Sequence, residues 1–247
     1  MKEALLTLGL FFILVSAVGK TDRFRDERSA LLKIINSQFA ESSGTTSILR
    51  MSPSVEKSMR DTPRSQFIPQ YLRRYSYANR PLSIGHGQTI SQPFIVALMT
   101  EVIRPKKSHV VLEVGTGSGY QAAVLSPLVK EVHSIEIIPQ LAKKSKILLK
   151  GLGYKNIFSY TGDGYYGLSK HRQSNRKIPD LFDSIIVTAA SSHIPPSLIK
   201  QLKIGGKMII PVGGTFQVQY LILVEKSATG VKSKNILPVR FVPLTRN

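Results

Sequence analysis

This sequence predicts an α/β fold with a doubly wound, mostly parallel sheet, and three observations carry the prediction. Residues 110–112, Val-Val-Leu, form a short apolar run of the kind shown by a buried parallel strand. The run leads through Glu113 into Gly115, Gly117 and Gly119 on alternate positions, and a helix-forming stretch follows at 121–125. Strand, glycine turn and helix open a nucleotide-binding βαβ unit. Apolar runs at 132–135, 182–188, 208–212 and 219–224, with a half-apolar run at 156–160, then alternate with helical stretches until a strand pair ends the chain.

In chain order, residues 4–19 are almost wholly apolar and uncharged, with a small-x-small pattern at 17–19, and read as a signal peptide or uncleaved anchor. Residues 20–53 read as an N-terminal extension, whose Leu31, Leu32, Ile34, Ile35 and Phe39 recur at helical spacing. Residues 41–46 read as a loop. The main domain is placed at 54–247. It begins with a short helix at 54–60 that stops before Pro63, and Phe67, Ile68, Tyr71 and Tyr75 are expected to pack on the sheet. Residues 84–93 read as a polar loop that delivers Ser91 and Gln92 to the start of a helix opened by Pro93. A Lys-rich helix at 141–149 closes at Gly151, a helix at 197–202 leads to Gly205-Gly206, and a last strand spans 236–244, with Pro238 and Pro243 marking an edge or its ends.

With no Cys, the 247-residue chain has neither disulfides nor thiolate metal ligands, and its five His show no metal-binding spacing. The net charge of +19 raises the question of nucleic acid, but the basic residues are dispersed apart from a run at 170–177. No nucleic-acid motif accompanies them, so they read as a solvated basic surface. The 170–179 segment reads as a surface insertion.

The glycine spacing decides the ligand class. A dinucleotide fingerprint needs a third glycine at position 120, which is Tyr120. Glu113, two residues before the first glycine, suits a ligand with a positive amino group and no pyrophosphate, such as S-adenosylmethionine; the alternative is a structural tight turn. Glu136, past the strand at 132–135, is placed to accept hydrogen bonds from a ribose diol, or is a solvated strand end. Asp163, between Gly162 and Gly164, can meet an adenine amino group or form an ordinary Asp-Gly turn. Ser91 and Gln92 either help receive a carboxylate at a helix N-terminus or simply cap that helix.

Taken together, GHGQTISQP, VLEVGTGSGYQAAVL, TGDGYYG, FDSIIVTAA, IPPSLIKQLKIGGKMIIPVG and VRFVPLT closely resemble the protein-L-isoaspartate O-methyltransferase family, from about residue 54 onward. The resemblance implies the Rossmann-like methyltransferase fold. It also implies methyl transfer from S-adenosyl-L-methionine, with S-adenosyl-L-homocysteine as product and no metal, to the α-carboxylate of L-isoaspartyl residues in damaged proteins. The ester then re-closes to a succinimide, which reopens partly to normal Asp. Carried onto this chain, Ser91 is the active-site serine, and Glu113, Gly115, Gly117, Gly119, Glu136, Gly162, Asp163 and Thr188 are cofactor positions. Thr89, Ile90, Ser91, Val239, Arg240, Phe241 and Val242 would border the isoaspartyl peptide. The family and the cofactor supply point to the cytoplasm. The apolar leader, unusual for the family, would imply export or anchoring and is the chain's one expected membrane contact. The runner-up reading is another S-adenosylmethionine-dependent methyltransferase, acting on RNA or a small molecule; a non-enzymatic binding protein is a third.

Overall fold

The computed structural model describes residues 24–169, 178–214 and 217–246. The apolar leader and the basic run at 170–177 lie outside the described residues. Seven strands make the main sheet: β3 (Val110–Val114), β4 (Glu131–Glu136), β5 (Ile157–Thr161), β6 (Phe182–Val187), β7 (Leu202–Val212), β8 (Gln219–Ser227) and β9 (Gly230–Val239). Their spatial order is β5-β4-β3-β6-β7-β8-β9, parallel from β5 to β7 and antiparallel for the last two. The chain steps outward from β3 through β4 to β5 and then returns to lay β6 on the other side of β3. The winding therefore reverses between β3 and β6, and in such sheets the crevice beyond the strand C-termini at the reversal is where ligands bind.

Both sheet faces are covered, which is why the central strands are apolar runs and do not alternate. On one face Val111, Val132, Ile186, Ile209 and Leu221 pack with α1 (Arg25–Thr46), α2 (Pro53–Asp61), α3 (Pro93–Val102), α4 (Tyr120–Leu125) and α5 (Pro139–Gly151). On the other, Leu112, Val114, Ile135, Ile185, Val187, Met208 and Ile210 pack with Leu198 of α6 (Pro196–Gln201).

The structure corrects several expectations. Residues 41–46 continue α1. Their hydroxyls bond back along the helix, Ser42 Oγ to the Gln38 carbonyl at 2.7 Å and Thr46 Oγ1 to the Ser42 carbonyl at 3.0 Å, and the helix ends at left-handed Ser47. The 84–93 loop contains a hairpin of β1 (Leu82–Gly85) and β2 (Gln88–Ile90), turned through Gly85, His86 and Gly87 at positive φ. Tyr71 is 73% exposed, and Phe67 packs edge-on against Tyr120 of α4 at 5.4 Å. β7 starts directly at Leu202 and takes Gly205-Gly206 within it. The last strand is β9, which begins earlier than expected and ends at Val239. Its residues 232–235, Lys-Ser-Lys-Asn, have no apolar face and are strand because they pair with β8 at the sheet edge, where lysines discourage further pairing. Residues 240–246 leave the sheet and run past Ala190, which donates to the Val242 carbonyl at 2.8 Å and accepts from Leu244 N–H at 2.7 Å.

Candidate active site

At the C-terminal end of β3, Glu113 is fully buried. Ser134, on neighbouring β4, donates its hydroxyl to one carboxylate oxygen and shares a 2.5 Å hydrogen bond with Thr116. The other oxygen, Oε1, is buried without a well-formed hydrogen bond. Burial pushes the carboxyl up to about 8; the Ser134 hydrogen bond opposes this, the charge of Glu136 adds to it, and the Ala122 backbone opposes it weakly. A buried carboxylate oxygen without a well-formed hydrogen bond has room for a further N–H donor.

The turn after β3 is tight because a neighbouring strand fills its space. Gly115 has φ +94°, and a Cβ there would lie 2.4 Å from Thr188 Oγ1. Thr188, just past β6, donates that hydroxyl to the Gly115 carbonyl at 2.5 Å and its backbone N–H to Val114 at 2.9 Å. Glu136 ends β4 with both oxygens engaged, by Gly117 N–H at 2.7 Å and Ile138 N–H at 3.0 Å. A carboxylate has about four acceptor sites, so two remain. Gly119 starts α4 at φ +87°. Gly162 donates to the Glu136 carbonyl at 2.9 Å. Asp163 caps the following turn through Tyr165 N–H at 2.9 Å and lies 3.7 Å from Arg246, whose guanidinium sits 3.7 Å over the Tyr165 ring.

One cleft is lined by Glu113, Gly115, Gly117, Glu136 and Thr188, by Thr89, Ile90 and Ser91, and by residues 242–245. Gly119, Gly162 and Asp163 support its walls without lining it. A second cavity, of about 580 Å³, is lined by Thr89, Ser91, Gln92, Phe94, Thr188 and the strip 237–242, which contains Val239, Arg240, Phe241 and Val242. Thr89, Ser91, Thr188 and Val242 line both. Ile90, expected beside the peptide, faces the first cleft.

Neither Ser91 nor Gln92 caps α3 through its side chain. That role falls to Asn79, whose Oδ1 accepts Phe94 N–H at 3.1 Å. The Ser91 hydroxyl makes no hydrogen bond among the described residues, while the Ser91 carbonyl accepts from buried Arg64 at 2.8 Å. Arg64 Nε and Nη1 are unpaired, and burial lowers this guanidinium to about 10. Sequence reasoning passed over Arg64, Asn79 and Ser134 as site residues, and took 243–244 as the end of the last strand, where the structure makes them part of a strap. The one available signal was a Ser inside the apolar run 132–135; the others are brought in by long-range packing.

An acidic pocket floor at a switch-point glycine turn, in place of a phosphate cradle, defines the S-adenosylmethionine-dependent methyltransferase class. The family described as Protein-L-isoaspartate(D-aspartate) O-methyltransferase matches residues 42–247, and the chain belongs to it. It is 49% identical over 231 residues to protein-L-isoaspartate O-methyltransferase 2 of Syntrophobacter fumaroxidans, covering 93% of this chain and 90% of the relative. It is 54% identical over 188 residues to the corresponding enzyme 2 of a Polaromonas species, covering 76% and 85%. A solved protein-L-isoaspartate O-methyltransferase superposes with TM-score 0.74 at 29% identity, covering 89% of this chain and 66% of that one. A Plasmodium falciparum beta-aspartate methyltransferase structure in complex with S-adenosyl-L-homocysteine gives 0.70 at 24% identity, covering 87% and 99%, a likeness of fold.

Proposed function

We propose that this chain methylates the α-carboxylate of L-isoaspartyl residues in proteins and peptides, the first step of repair through a succinimide. The observation that carries this reading is the meeting of the two cavities at Thr89, Ser91, Thr188 and Val242. One cavity has the buried acidic floor that a cofactor ammonium needs, and the other is an open groove beside an extended strip.

S-adenosylmethionine, when bound, supplies a methyl group already activated on a sulfonium. The donor set fits it: Glu113 Oε1 would take the ammonium, Glu136 the ribose hydroxyls, and the Gly115–Gly117 turn lines the same cleft. Asp163, the residue expected at the adenine, lies 3.7 Å from Arg246 and does not line the cleft.

The substrate carboxylate is ionised near neutral pH, so no general base is required. The residues have the work of holding and drying it. Ser91, its hydroxyl free and its carbonyl held by Arg64, donates to the carboxylate; Thr89 and Val242 close the sides, and the 242–245 strap keeps water out. Ser91 is not a nucleophile, because no His stands in hydrogen-bond contact with it among the described residues; His86 is exposed at the hairpin tip.

The test is incubation with labelled S-adenosylmethionine and matched isoaspartyl and aspartyl peptides. Base-labile label on the isoaspartyl peptide alone is expected; label on both or on neither overturns the reading. We place the activity in the cytoplasm, where the cofactor is supplied. No helix among the described residues is long and apolar enough to cross a membrane. A mature chain beginning at Lys20 in an extracytoplasmic fraction would overturn that placement.

A further inference from the structure

We infer that Gln38, on α1, is a substrate-binding residue: its side-chain amide N–H group donates to a peptide carbonyl of the segment flanking the isoaspartyl residue. The inference rests on the groove assignment above and extends it to a helix position upstream of residue 42, where the family match begins.

The orientation of this amide follows from a chain of donors and acceptors. The backbone N–H of Phe94, in the first turn of α3, can only donate, and it donates to Asn79 Oδ1 at 3.1 Å. Asn79 must therefore turn its Nδ2 the other way, and it donates to Gln38 Oε1 at 2.6 Å. The Gln38 oxygen is thus committed inward. Its Nε2, with two N–H donors, has no partner among the described residues, and Gln38 lines the groove together with Pro81, Gln92, Phe94 and the 237–242 strip. Around it the wall offers the apolar surface of Pro81 and Phe94. A neutral double donor in such a wall matches a neutral acceptor, and the acceptor that every peptide carries is its main-chain carbonyl. The same network ties the N-terminal helix to the start of α3, next to Ser91, so peptide docking and carboxylate positioning share one frame.

Gln38→Glu tests this, because it keeps size and the acceptor for Asn79 while exchanging the two donors for a carboxylate oxygen. For an isoaspartyl hexapeptide we expect KM to rise about 5- to 30-fold, the loss of one hydrogen bond with its acceptor left facing a charge. The kcat should stay within about twofold, and S-adenosylhomocysteine affinity and Tm should be unchanged. For an isoaspartyl dipeptide, which lacks the flanking carbonyls, variant and wild type should have equal kcat/KM. Equal KM for the hexapeptide, or a loss as large on the dipeptide, overturns the inference while the methyltransferase reading stands. A KM rise accompanied by a lowered Tm also overturns it, in favour of a purely structural Gln38. Wild-type protein that methylates neither peptide overturns both. Asn79→Ala, which removes the α3 cap, serves as the structural control: it should lower Tm and kcat together.

Discussion

Replacing Glu113 by Gln should stabilise the ligand-free protein near neutral pH while crippling cofactor binding. The carboxyl is fully buried and pushed from an ordinary 4.5 up to about 8 by desolvation. Because the folded value is the higher one, the folded state holds a proton that the unfolded state releases. The group's contribution to stability is whole below pH 4.5 and is lost progressively as pH rises to about 8. Keeping it protonated at pH 7 costs about 3 kcal/mol, at about 1.4 kcal/mol per unit. Gln has the same shape, carries no proton to hold and still accepts from Ser134, so it escapes this cost. At roughly 2–4 °C per kcal/mol for a chain of this size, the variant should melt about 5 °C or more above wild type at pH 7. The difference should vanish toward pH 4.5. With saturating S-adenosylhomocysteine the difference should shrink to about half or less, since losing the charged partner weakens binding roughly 10- to 150-fold, about 1.4–3 kcal/mol. Wild-type binding at pH 7 should also release nearly one proton, read by calorimetry in buffers of different ionisation enthalpy, and the variant none. A variant that melts below wild type with an unchanged pH profile, or releases the same proton, would refute the assignment of Glu113 as the ammonium receptor.

Glu136→Ala removes the acceptor for Gly117 and Ile138 N–H as well as the proposed ribose contact; cofactor affinity should fall about 10- to 150-fold, and normal binding by calorimetry would end the ribose assignment. Ser91→Ala should leave cofactor affinity within about threefold and lower kcat/KM for the isoaspartyl peptide by roughly one to two decades; abolished cofactor binding or untouched peptide kinetics would contradict the division of labour. Arg64→Met exchanges a buried, half-satisfied cation for an apolar chain of similar length, so urea unfolding should show a stability change within about 1 kcal/mol. With the Ser91 carbonyl released, peptide kcat should drop about tenfold, and full activity in the variant would remove Arg64 from the frame of the site.

The parallel strands β3, β4, β5 and β6, the glycine turn and the two acidic residues, Glu113 and Glu136, that close β3 and β4 are legible in the sequence. These are local signals: apolar runs of strand length, a glycine where φ must be positive, a carboxylate at a fixed offset. It also carried the family, because GHGQTISQP and VRFVPLT survive as contiguous words. What it could not carry was anything whose cause lies far along the chain. Residues 41–46 and 232–235 have the composition of loops, yet one is helix because α1 packs through Phe39 and its neighbours, and the other is strand because β8 offers an unpaired edge. The capping of α3 by Asn79 rather than Ser91, the orphaned oxygen of Glu113, the hold of Arg64 on Ser91 and the strap over Ala190 join residues up to tens of positions apart. They emerge from packing alone, since a hydrogen bond satisfied across the fold leaves no periodicity in the chain that makes it.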